Sequence, residues 1–126
     1  MMTKGRFEKL VKEGIKDIPE RFLKKLDNVD IIIEDMPTPY QLRKLRVREN
    51  SLIFGLYEGV PQTKRENYGQ VLPDKITIFQ KPIEKYASSE KEVKEMVKNT
   101  VWHEIAHHFG FDEREVREME TKRRSS

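Results

Sequence analysis

The chain has 126 residues, enough for one domain with its own core and too few for two. Charged residues make up 37%, above the ~25% of ordinary domains, so the surface is densely ionic. Lys and Arg total 25 against 22 Asp and Glu, for a net charge of +3; with the two signs interleaved, that excess is only weak evidence for a nucleic-acid partner. The absence of Cys excludes disulfides, thiolate nucleophiles and Cys-held metals.

The N-terminal MMTKGRFEKLVKEG lacks the uninterrupted apolar segment of a secretory signal. No run approaches the ~18 apolar residues of a membrane span, so a soluble cytoplasmic protein is expected. Phe7, Leu10, Val11, Ile15 and Ile18 recur at three- and four-residue steps, as on an amphipathic helix. Pro19 suits the first turn of a second short helix, with Phe22, Leu23 and Leu26 as its apolar face. Then the period changes. Val29–Glu34 is short and β-branched, hence a strand. Pro37 and Pro39 end it and open a polar loop or short helix through Arg48.

Leu52–Tyr57 reads as a second strand, Pro61–Gly69 as an exposed charged loop, and Ile76–Phe79 as a third strand. Ser89 and Glu92 have the spacing of a capping box. A long helix is therefore expected from there to about Phe109, stopping at Gly110. Asp112 and Glu115 repeat the spacing and predict a last helix from Glu113 to about Lys122, with residues 122–126 as a frayed tail. No repeat or linker divides the chain, so residues 1–126 are expected to form a single domain.

All three histidines lie in His103-Glu104-Ile105-Ala106-His107-His108. At about 100° per residue, His103 and His107 stand about 40° apart and one turn above the other, so both imidazoles can reach one cation. Glu104 projects to the flank, where a carboxylate can take a proton from water at an open coordination position. Val101, Trp102, Ile105, Ala106 and Phe109 share another face, which packs into a core and turns the histidines toward a cleft. His108 lies well round the helix from the pair and reads as a supporting or surface residue.

A catalytic zinc needs a third protein ligand, and with Cys absent and His exhausted it must be a carboxylate. Gly110 can adopt φ > 0 and turn the chain back across the helix end; Glu113 follows three residues later.

The string His103-Glu104-x-x-His107-x-x-Gly110-x-x-Glu113 resembles the extended zinc signature of metzincin-type peptidases. The wider HEIAHHFGFDE resembles the small bacterial zincin-like metallopeptidases, as do Gly55–Pro61 and Leu72–Ile78. The resemblance implies an α+β fold, a compact zincin-like domain with a small β-sheet beside a long active-site helix and flanking helices. It also implies Zn²⁺ as the cofactor. That family commonly shows Asp at its last ligand, where this chain has Glu113, with Asp112 just before it. Asp112 suits the N-cap of the last helix, which leaves Glu113 as the expected ligand and Asp112 as the alternative.

The expected activity is that of a zinc-dependent peptidase: His103, His107 and Glu113 hold the ion and Glu104 is the general base on water. Its substrate would be a short peptide or unfolded protein, docked by analogy on a sheet edge at Ile76–Gln80. Tyr40, Tyr57, Tyr68 and Tyr86 are candidates to stabilise an oxyanion. By the same resemblance Met119 could lie under the metal, although ordinary packing accounts for it and for Met96. Trp102 and the Phe residues read as core. Two rival readings are a catalytically weak metal-binding interaction protein and a metal-dependent ribonuclease. The second is suggested by a pI near 9.1 and weakened by the lack of a basic stripe interleaved with aromatics.

Overall fold

The computed structural model describes residues 2–45, 53–59, 73–109 and 114. Helix α1 (Lys4–Lys16) starts where Thr3 Oγ1 accepts from the Arg6 N–H at 3.1 Å, an N-cap that satisfies one orphan donor. Its buried residues are Phe7, Leu10, Val11 and Gly14, the face expected from the apolar spacing. Pro19 stands at the N-cap of the short α2 (Glu20–Leu23), one residue outside the helix proper. A single 3₁₀ turn, Lys24–Leu26, leads into strand β1 (Val29–Glu34). Helix α3 (Pro39–Lys44) is set by sequence chemistry alone: Pro39 opens it, and Thr38 and Gln41 form a reciprocal capping box.

Strand β2 covers Gly55–Glu58 and β3 Asp74–Phe79. β3 begins before the expected Ile76 because Asp74 and Lys75 pair with Val29 and Asp30 of β1. Helix α4 (Gln80–Tyr86), directly after β3, was not expected. Pro82 reads as a breaker in sequence but lies in the first turn, where no intrahelical donor is lost. Helix α5 (Glu90–His108) follows the expected bounds closely. Ser89 Oγ accepts from the Glu92 N–H at 3.2 Å. The return half of the expected box is shifted by one residue, since the Glu92 carboxylate accepts from the Ser88 N–H and hydroxyl. Those bonds hold the Glu92 carboxyl below its ordinary range.

The sheet order is β1-β3-β2, with β1 parallel and β2 antiparallel to β3. β3 is therefore the central strand, and the expected peptide-docking edge at Ile76–Gln80 is corrected. Its backbone is paired on both sides, and Gln80 already belongs to α4. Valines 93, 97 and 101 of α5 meet Phe7, Leu10 and Val11 of α1 in a core that also takes Ile76, Ile78 and Ile83. The two helices approach closely at Gly14, where an added Cβ would lie 2.7 Å from the Lys94 carbonyl oxygen. Trp102 packs beside Phe22 with ring centroids 5.5 Å apart; it is core, as expected. The mixed α+β class is as expected. The predicted loop at residues 61–69, most of the last helix and the tail lie outside the described residues; Arg114 is helical.

Candidate metal centre

The core stripe of α5 fixes the orientation of its other face. Because Val101, Trp102 and Ile105 are buried, rotation of the helix is locked. His103 is half-buried with its ring centroid 5.9 Å from that of Trp102, and His107, one turn on, is exposed. The two imidazoles thus share a flank of one rigid helix.

Glu104 stands between them in sequence and against β2 in space. Its side chain is 22% exposed, with Oε2 3.6 Å from His108 Nε2. Burial pushes its carboxyl above the ordinary Glu value, opposed by His108, by the Tyr57 N–H that donates to it, and by His107. The strand ladder explains that donor. Phe79 N–H bonds the Phe54 carbonyl at 3.0 Å, and antiparallel pairs alternate, so Leu56 and Glu58 bond β3. Gly55 and Tyr57 direct their backbone groups away from it.

Tyr57 holds the site in two further ways. Its ring stacks on His108 with centroids 4.3 Å apart and 14° between planes, and its hydroxyl donates to Asp74 Oδ2. His108, itself exposed, is thereby a neighbour of Glu104 supported from β2. Tyr40 and Tyr86 are 64% and 60% exposed and line no part of the cleft, whereas Tyr68 lies outside the described residues.

β2 and α5 bound a cleft of about 340 Å³. Phe54 and Gly55 form one wall; Met96, Asn99 and Thr100 form the other, continuing to His103 and Glu104. Asn99 Oδ1 is buried with no partner among the described residues. Gly55 lets the walls close: an added Cβ would lie 2.4 Å from Thr100 Cγ2 and 3.1 Å from the Thr77 oxygen. Sequence reasoning missed these wall residues. Asn99 and Thr100 precede His103 by four and three residues, a spacing that shares its face, and a glycine inside a strand pattern signals close approach.

Among the described residues no three His, Asp or Glu side chains form a group that could hold a metal. Gly110, Asp112, Glu113 and Met119 lie outside the described residues, and so does the third donor expected from sequence. What is described fits zinc chemically: two imidazoles one turn apart, beside a carboxylate whose burial suits a base rather than a solvated surface charge. No helix among the described residues is long and apolar enough to cross a membrane.

Comparison with known proteins bears on the fold and the family. A solved structure of a conserved hypothetical protein from Thermo thermophilus is similar in fold, with a TM-score of 0.56 and 22% identity. The likeness covers 86% of this chain and 94% of that one. No curated protein matches the chain. The family model for zincin-like metallopeptidases matches residues 26–123, a span that includes all three strands and the whole of α5. With most of its length matched by that model, the chain belongs to the zincin-like metallopeptidase family.

Proposed function

We propose that the protein is a zinc-dependent peptidase in which His103, His107 and Glu113 hold the ion and Glu104 is the general base. Asp112 remains the alternative third ligand. One observation carries the reading: Glu104 is a desolvated carboxylate, anchored by the Tyr57 N–H, that follows directly on His103 along a cleft. Zinc, when bound, supplies Lewis acidity toward a carbonyl and toward water.

The chain's own residues do the rest. A raised carboxyl value brings the base nearer working pH, where proton acceptance and return are both effective. Glu104 takes the proton of the attacking water on a carboxylate oxygen and returns it to the leaving amine. The Tyr57 N–H and the His108 ring keep that carboxylate aimed. β2 replaces β3 as the docking edge, since no strand pairs with its outer side among the described residues. The backbone groups of Gly55 face outward, where an extended peptide would pair with them. A cleft of about 340 Å³ suits a short or unfolded segment rather than a folded substrate.

Metal analysis combined with peptide-library cleavage tests this reading in wild type and Glu104→Gln. The expected result is one zinc per chain in both proteins and hydrolysis lowered by about 10²–10⁴-fold in the variant. Zinc-loaded wild type that cleaves nothing would favour the inert metal-binding protein; equal cleavage by both would remove Glu104 from the chemistry.

A further inference from the structure

The sheet has a second open edge, on the side away from α5's histidines. Among the described residues no strand pairs with the outer side of β1. The Asp74 N–H bonds the Asn28 carbonyl at 3.1 Å, which sets the phase of the parallel ladder. Asp30, Ile32 and Glu34 direct their backbone groups to β3, and Val29, Ile31 and Ile33 direct theirs outward. Between this edge and α1 lies a groove of about 600 Å³, larger than the candidate metal cleft.

The groove's surface has two distinct parts. Its apolar part is Val11 and Ile15 of α1 with Ile31 and Ile33 of β1. Its rim on α1 is the four-residue stripe Lys4, Glu8, Lys12, Lys16, three cations against one anion. Among the described residues no ion pair engages those three lysines. Asp30 and Glu34 sit at alternate positions with Ile32, on the opposite face of β1. The α1 side of the edge is thus cationic and the far side anionic.

We propose that this groove is a second docking surface, which takes an extended acidic peptide as a fourth strand on β1. Backbone pairing with Ile31 and Ile33 supplies the ladder. Alternate side chains enter the groove, apolar in the middle and acidic at the ends, where the lysines meet them. The lengths agree: Lys4 to Lys16 spans about 18 Å of helix, against about 20 Å between the ends of an extended heptapeptide. A second copy of this chain fits less well, because it would bring another lysine stripe toward the first. The surface is independent of zinc and of hydrolysis, so its test is too.

The probe is a fluorescein-labelled heptapeptide, Glu-Thr-Val-Thr-Val-Thr-Glu, with binding to the full chain read by anisotropy and by amide shifts. Saturable one-to-one binding is expected, with the largest shifts at Val29, Ile31 and Ile33. Lys12→Glu/Lys16→Glu should weaken it by about tenfold or more. N-methylation of alternate amides should weaken it comparably in one phase and leave it intact in the other. The proposal is overturned if the peptide does not bind, or if it shifts Gly55 and Tyr57 instead. It is equally overturned if a Lys-ended analogue binds as well, or if both N-methyl phases behave alike. Binding of anionic phospholipid vesicles without the peptide would overturn it by assigning the groove to a membrane surface. Dimerisation through β1 that the peptide does not reverse would overturn it by assigning the groove to a second copy.

Discussion

The two edges of the sheet carry the same backbone chemistry and differ in what surrounds it. At β2, one outward N–H is already spent on Glu104, and the neighbouring side chains are histidines and a half-buried carboxylate. At β1, the surroundings are isoleucines and a lysine stripe. A strand edge with no neighbouring strand is a template for an extended chain; the side chains around each edge set the chemistry that such a chain would meet.

The strongest way to break the comparison is to remove what makes the β2 edge chemical. His103→Ala or His107→Ala should abolish stoichiometric zinc by elemental analysis, and in wild type zinc affinity should fall as pH drops, because a ligand imidazole must be unprotonated. Undiminished zinc in the double variant would place the metal elsewhere. Chelator titration should show Glu113→Ala weaker in zinc than Asp112→Ala; the reverse order would make Asp112 the ligand.

A smaller effect tests how tightly β2 closes on α5. Gly55→Ala places a methyl against the Thr100 side chain, which is stiff on a helix, and should cost about 1–3 kcal/mol in denaturant unfolding. Thr100→Ser removes the clashing methyl and should recover part of that cost in a double-mutant cycle. Full additivity would show that the walls do not touch there.

The Glu104 carboxyl gives a pH-dependent signal. Its folded value lies above its unfolded one, so the burial penalty is absent in acid below ~4.3 and grows as pH rises through the raised folded value. In metal-free protein, Glu104→Gln should therefore melt a few degrees higher than wild type at about pH 7.5 and equally at about pH 3.5. Identical melting at both would mean that the carboxylate stays solvated. The smallest change is expected at the other edge, where Lys12→Glu/Lys16→Glu should alter stability by no more than ~0.5 kcal/mol and leave zinc content unchanged. A loss of zinc in that variant would couple the two edges and end the distinction between them.

Local chemistry made much of this protein legible. The amphipathic period of α1, the β-branched run of β1, the cap at Ser89 and the core stripe of α5 all depend on neighbours within a few residues. The pairing of His103 with His107 does too, because helix geometry alone brings them to one flank. Helix α4 escaped detection because Pro82 and its polar neighbours mimic a turn. The sheet order did not follow from sequence: strand patterns state which residues alternate, not which strand becomes central, and β3 displaced the expected docking edge. The setting of Glu104 was equally hidden. Its desolvation, its bond from the Tyr57 N–H and its stacked His108 neighbour join residues 57 and 104, which only the packing of β2 on α5 brings together. Spacing along one helix selects the atoms that can share a cation, but tertiary contact sets the dielectric and the partners that decide how those atoms react.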